Sequence, residues 1–242
     1  MLARAVSLSL VCASLLSQAM AEPMRIAHDQ NFPPFSMSND GNSEGLAVDI
    51  LRAAAARVGI DMIFVPVPFD QRQATLENGR AEAYFPLSIT PDRLQSFDFS
   101  EVLILTGGSV FVRAPNVPPD ALDALAGKVV VTPQTGPYAA FVKRTAPTVQ
   151  LVVTVDYEDS LGRLVRGEAD AALLSYHVGQ RFADRLYPGL ISRSPKMFLE
   201  SPLAVAVVKG KNGPLLSKLN QGIAAIRADG TWKQINDRWA GR

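Results

Sequence analysis

Sulfur chemistry and histidine are both scarce in this chain. Its 242 residues include one cysteine, Cys12, and two histidines, His28 and His177. A lone thiol excludes a disulfide framework and a cysteine-based metal site. No His pair at zinc spacing, no phosphate loop and no nucleophile elbow is present. An excess of charge is missing as well, with 24 basic against 23 acidic residues. A balance this close gives no support for binding nucleic acid or an anionic membrane. Long apolar runs are also lacking. Ala5 to Leu16 is mostly apolar but too short to span a bilayer.

That run has the marks of a removable leader. Arg4 precedes it, and Ala19-Met20-Ala21 is a small-x-small cleavage signature, so the mature chain is expected to begin at Glu22. Cys12 falls inside the leader and reads as apolar filler. The remainder, roughly 220 residues, is long enough for two lobes of roughly 100, each with its own core. The expectation is an exported protein acting in the periplasm as a monomer, with no cofactor and no nucleic-acid partner.

Strand and helix patterns alternate along the mature chain. Met24 to His28 reads as a strand and runs into Asp29-Gln-Asn-Phe32-Pro-Pro-Phe35, where the double proline ends regular structure. The two aromatics of that loop either plug the core or face a ligand. Asp40 to Gly45 reads as a turn. Leu46 to Val58 is helical, with Val48, Leu51, Ala55 and Val58 on one face. A strand over Met62 to Val67, a helix over Gln71 to Asn78 and a strand over Ala81 to Phe85 follow. This order argues for parallel β-α-β units, whose ligands sit at the carboxyl ends of the strands. Phe32, Phe69 and Ser88 each come just after such an end.

Leu87-Ser-Ile-Thr-Pro-Asp-Arg93 is the most informative stretch. Thr90 is placed to cap a helix with Pro91 at its first position, leaving free N–H groups beside the Arg93 guanidinium. Together these make a receptor for a small anion. Further strands are expected at Ser109 to Arg113, Lys128 to Thr132, Leu151 to Val155, Ala169 to Leu174 and Leu203 to Val208. Helices are expected at Leu122 to Leu125, Tyr138 to Thr145, Ser160 to Arg166, Leu215 to Ala228 and Thr231 to Trp239. Pro133-Gln-Thr-Gly-Pro137 is a strand-to-helix turn, and Ser175-Tyr-His177 ends a buried strand, again where ligands bind. The chain is expected to cross from a first lobe (22–106) into a second (107–202) and to return to the first (203–242).

Six motifs in this order resemble the extracellular solute-binding proteins of family 3, the substrate-binding proteins of polar amino-acid ABC importers. They are Asp29-xx-Phe32-Pro-Pro-Phe35, Gly41-xxx-Gly45-Leu-xx-Asp49-Ile, Leu76-xx-Gly79-xx-Glu82-Ala83, and Ser88-Ile-Thr-Pro-x-Arg93 with Phe97-Asp-Phe-Ser100. Leu164-xx-Gly167-xx-Asp170-Ala171 and Asp229-Gly-Thr-xxx-Ile235-xxx-Trp239 complete the set. The resemblance implies an α/β type II periplasmic-binding-protein fold: two lobes, two crossover segments and a ligand cleft between them. It implies capture of a small carboxylate ligand, amino acid or amino-acid-like, for an ABC permease. Phe32 and Phe69 would sandwich the ligand, and Asp29 would select its side chain. Ser88 would offer a hydroxyl and Arg93 would clamp the carboxylate. Thr135 and Gly136 would share that carboxylate from the second lobe.

Three departures refine the ligand. Ser175 stands where such proteins carry the acid that holds an ammonium, and a hydroxyl cannot replace a carboxylate opposite a buried cation. Pro86 and Pro137 each remove a backbone donor near the site. A carboxylate without a charged amine, or an amine held by Asp29, fits this pattern. Two rival functions are a dehydratase acting on cyclic carboxylic acids, with Asp29 the one placeable acid, and an exported accessory protein for a partner enzyme. His177 near the cleft is expected to be a hydrogen-bonding wall.

Overall fold

A computed structural model of the chain describes residues 22–134 and 137–240. The leader with Cys12, and the turn residues Thr135 and Gly136, lie outside the described residues. The first strand, β1 (Met24–Asp29), leads into a small antiparallel ribbon of β2 (Asn31–Phe32), β3 (Ser36–Asn39) and β4 (Asn42–Glu44). The spacing predicts a loop and a turn here. The ribbon forms because Asp40 and Gly41 both take positive φ and close a two-residue hairpin pairing Asn39 with Asn42. Next come α1 (Leu46–Arg57), β5 (Met62–Val67), α2 (Arg72–Glu77) and β6 (Ala83–Ser88). In α1 the expected face is buried at Val48, Leu51 and Ala55. After α3 (Arg93–Ser96) and β7 (Phe97–Phe99), the chain enters the long strand β8 (Ile104–Arg113).

The middle of the chain repeats the plan. It runs β9 (Val129–Pro133), α4 (Tyr138–Thr145), β10 (Gln150–Thr154), α5 (Tyr157–Arg166) and β11 (Ala171–Ser175). Then follow α6 (Tyr176–Leu186), β12 (Ile191–Arg193), the long strand β13 (Phe198–Val208), α7 (Gly213–Ala228) and α8 (Thr231–Ala240). Sequence periodicity does not predict α6. Its fully buried residues are the small Gly179 and Ala183, so it carries no stripe of large apolar side chains.

One mixed sheet runs β10-β9-β11-β8-β13-β6-β1-β5, with β7 beside β13 and β12 beside β8. Its two ends share one local plan. In each, the first strand lies between the second and the third, and the three are parallel. The same short motif builds both. Helix α2 stops at Gly79 and α5 at Gly167, both with positive φ, and an acid follows three residues later. Glu82 Oε2 accepts the Arg25 N–H at 2.6 Å, and Asp170 Oδ2 accepts the Val129 N–H at 2.8 Å. Each acid thus pins the start of the neighbouring strand, while its own N–H donates to the carbonyl of that same residue. The two Leu-xx-Gly-xx-acid-Ala motifs are structural devices.

Pro86 sits inside β6, where a central strand loses a donor. The ladder with β13 shifts there, between the pairs Ala204–Leu87 and Ala206–Tyr84. Ser100 supplies the missing partner for Val205. Its hydroxyl accepts the Val205 N–H at 3.0 Å and its N–H donates to the Val205 carbonyl at 2.9 Å. The Phe97-Asp-Phe-Ser100 motif is thereby accounted for without a ligand.

Four buried apolar clusters flank the sheet. Two are made of residues up to Ile104 together with those from Leu203 onward, and two of residues between Val110 and Ala183. In the first pair α1 packs against α7 at very short range. A Cβ on Gly222 would stand 2.1 Å from the Ala54 carbonyl oxygen. Gly222→Ala is therefore expected to cost about 1–3 kcal/mol. Urea unfolding should show a lower midpoint with an unchanged slope, and an unaltered midpoint would show that the helices separate freely.

Candidate ligand-binding cleft

A cleft of about 670 Å³ opens at the carboxyl ends of β1, β6 and β11 and against β13. It brings together Asp29, Phe32, Phe69, Ser88, Arg93 and Ser175, six of the eight residues expected from sequence. The other two, Thr135 and Gly136, fall outside the described residues, but Pro137 beside them lines the cleft.

Arg93 is half-buried. Its Nη1 donates to the Ser88 carbonyl at 2.9 Å and to the Ser88 hydroxyl, leaving that hydroxyl free to donate its own proton. The Phe69 ring lies 6.0 Å from the Arg93 Cζ, and Arg72 stacks on the same ring at 4.1 Å. Among the described residues no carboxylate comes within 4 Å of Arg93. Burial lowers its pKa, and the like charge of Arg72 adds to the effect. An arginine so placed still carries its charge, and it lacks an anion.

The helix expected after Thr90 is only the four residues of α3, with a turn before it at Pro91 and Asp92. Asp92, not Thr90, precedes α3 and makes no side-chain cap, and the Thr90 Oγ1 accepts the Arg93 N–H at 3.3 Å across the turn. One turn of helix sums few peptide dipoles. The attraction for an anion therefore comes from the guanidinium rather than from a helix end.

Asp29 is held by its own backbone. Its carbonyl accepts from Ser36 Oγ at 2.8 Å and from His28 Nδ1 at 2.9 Å, and its Oδ1 accepts the Asn31 N–H at 2.9 Å. A carbonyl can only accept, so His28 is protonated on Nδ1 and its Nε2 accepts from Ser43 Oγ at 2.7 Å. Burial keeps His28 neutral by lowering its pKa. The two loop phenylalanines divide the alternatives between them. Phe35 is buried in the core beneath the cleft, and Phe32 leans on it at 4.9 Å as part of the wall.

Residues outside the expected ligand set complete the lining, among them Tyr138, which the sequence offers with Tyr84 and Tyr176 as a packing residue or a part of the cleft wall. Tyr138 and Tyr157 stand beside Ser175, and burial pushes the Tyr138 phenol up to about 12 and raises that of Tyr157 as well. Both are neutral donors at pH 7, as is Ser175. Beneath the cleft, burial and the charge of Asp29 raise the pKa of Tyr84, whose hydroxyl has no hydrogen-bond partner. Leu199, Glu200 and Ser201 of β13 also face the cleft. Helical starts after strands hint at Tyr138 and Tyr157, but nothing local marks Glu200.

His177 is a hydrogen-bonding residue behind the cleft wall, in contact with the cleft-lining Phe35 and Thr106. It does not line the cleft itself but a neighbouring cavity of about 220 Å³ with Tyr176, Pro34, Arg193 and Trp239. Its ring meets Phe35 edge-on at 5.2 Å, and its Nδ1 lies 3.2 Å from Thr106 Oγ1.

Residues 24–242 match the bacterial extracellular solute-binding proteins, family 3, and the chain belongs to that family. It is 28% identical to the L-arginine-binding protein of Pseudomonas aeruginosa, over 96% of this chain and 93% of that one. The unliganded, open L-cystine solute receptor of Neisseria gonorrhoeae superposes with a TM-score of 0.80 at 22% identity, covering 91% of this chain and 93% of the receptor. An ancestral arginine-binding protein bound to arginine superposes with a TM-score of 0.60 at 25% identity, covering 90% and 97%. The fold is that of type II periplasmic binding proteins.

Burial, followed by the charge of Arg193, holds the pKa of His177 near 4, below its ordinary 6.5. Such a group is protonated first in the unfolded chain. Stability is therefore complete above about pH 6.5 and falls on acidification towards 4, by up to about 1.4 kcal/mol per pH unit. In urea unfolding between pH 7 and 4.5, His177→Gln should lose stability less steeply than the wild type. Parallel slopes would show that His177 is solvated.

Proposed function

We propose that this chain captures a small carboxylate-bearing solute, an amino acid or a close analogue, between two lobes and hands it to an ABC permease. It works outside the cytoplasm, in the periplasm, after removal of its leader. The lobes are residues 22–106 with 203–242, and 107–202. The grouping of the buried apolar clusters, two from residues up to Ile104 with those from Leu203 onward and two from Val110 to Ala183, supports this division. One observation carries the reading: Arg93, tethered to Ser88 and flanked by Phe69, lines the cleft with no carboxylate among the described residues within 4 Å to neutralise it. A carboxylate fits a guanidinium fork, and the aromatic walls exclude water around the pair.

The better superposition on an open receptor than on an arginine-bound relative supports the present arrangement as the open form. Ligand then closes the cleft by bridging the rims, shifting the population towards closed. From the second lobe, Thr135, Gly136 and the Ser175 hydroxyl complete the contact, an assignment that rests on the sequence motif.

The test is a thermal-shift and calorimetric screen of amino acids, opines, cyclic acids and polyamines. The wild type should show a ligand-dependent rise in melting temperature without turnover. Arg93→Ala should weaken any carboxylate ligand by about 10- to 150-fold, the worth of a charged hydrogen bond. Unchanged affinity would remove Arg93 from the site. Turnover of a cyclic acid, lost in Asp29→Asn, would establish a dehydratase instead.

A further inference from the structure

The end of β11 offers a ligand no negative charge, because Ser175, Tyr138 and Tyr157 are all neutral there. Among the described residues two acidic residues line the cleft, Asp29 and Glu200. Asp29 already spends one oxygen on the Asn31 N–H. Glu200 makes no ion pair and no side-chain hydrogen bond among the described residues.

The backbone around Glu200 is built irregularly. Phe198 pairs with Gly108 and Ser201 with Thr106, so Leu199 and Glu200 together oppose the single residue Gly107. Two residues against one is a β-bulge, a device that re-aims a side chain. Regular alternation would send neighbouring residues to opposite faces. Here Leu199, Glu200 and Ser201 all line the cleft. Leu199 takes φ 49°, a left-handed conformation that is unfavourable for a leucine. Gly107 permits the close approach, since a Cβ there would lie 2.8 Å from the Phe198 carbonyl oxygen and 3.4 Å from the Glu200 Cα. Strain and a glycine are thus combined where an acidic residue, unpaired among the described residues, joins the lining of the cleft.

We infer that Glu200 is the counter-charge for a cationic group of the ligand. The solute is then a zwitterion, its carboxylate on Arg93 and its ammonium on the bulged strand β13 instead of at the end of β11. This rests on the cleft being the binding site proposed above, and it narrows the solute to one carrying both charges. A carboxylate against an ammonium, enclosed when the cleft closes, gains from the lowered dielectric around it.

The experiment is calorimetry of the full mature protein with the standard amino acids, L-ornithine and L-cystine. The best binder is then compared with its analogue lacking the α-ammonium. Glu200 is exposed, so Glu200→Gln should fold with an unchanged circular dichroism spectrum and melting temperature. It should bind the amino acid about 10- to 150-fold more weakly than the wild type does. It should bind the deaminated analogue as the wild type does. Equal affinities for the amino acid, or a loss found only in Asp29→Asn, would overturn the role of Glu200 and leave the proposed function standing. So would a wild type that binds amine-free acids and no amino acid. A wild type that binds no carboxylate, or whose binding survives Arg93→Ala, would instead end the proposed function and this inference with it.

Discussion

The antiparallel ladder between β8 and β13 is the constraint on which the rest of this molecule depends. These two strands lie side by side at the centre of the sheet, β8 pairing with β11 of one end and β13 with β6 of the other. The apolar clusters divide along these strands, Ile104 and residues from Leu203 onward joining one pair and residues Val110 to Val112 the other, with Val178 of α6 reaching across. Hydrophobic burial therefore stabilises each half separately, while backbone hydrogen bonds join the halves. Halves joined in this way are expected to move relative to one another without disturbing either core. The cleft lies beside that junction, lined by residues of β1 and β6 on one hand and of β11 on the other.

Both ends of the sheet use the same means to fix their strands. An acid that accepts the first N–H of a neighbouring parallel strand sets that strand's register, and a one-residue slip would break the contact. The lip of the cleft in each half is formed where these registered strands end. Errors of register are therefore suppressed at the amino ends, and the carboxyl ends are left to vary in chemistry. That is where Asp29, Ser88 and Ser175 differ in what they offer a solute.

Much of this was legible in the sequence because periodicity and punctuation agreed. Helix α4 falls on the expected Tyr138 to Thr145, and α7 shows the predicted face at Leu216, Leu219, Ile223 and Ile226. The rule that ligands gather at strand ends puts Phe32, Phe69, Ser88 and Arg93 on one rim, the family resemblance adds Asp29, and all five line one cleft. Where large apolar side chains were absent the pattern was silent. Helix α6 buries glycine and alanine, so it left no trace. The ribbon β2–β4 was missed because Asp40-Gly41 was weighed as a turn without the strands it joins. Glu200 was invisible for a different reason. Its direction is set by a two-against-one pairing with a strand more than ninety positions earlier, which no local window contains. His177 stands one layer behind the cleft, because α6 begins immediately after Ser175 and sets it against Phe35 and Thr106 rather than in the lining.

Arg93 has one more consequence. An arginine side chain free in solvent surrenders about 2 kcal/mol of rotamer freedom when it is immobilised. Here Ser88 fixes the guanidinium before any solute arrives, and the loss is met during folding. An incoming solute encounters a receptor already set in place, so more of the contact energy is retained as affinity. The same anchoring discriminates by shape. A rigid fork rewards a planar group at one distance and angle, and it has little freedom to follow a solute of another outline.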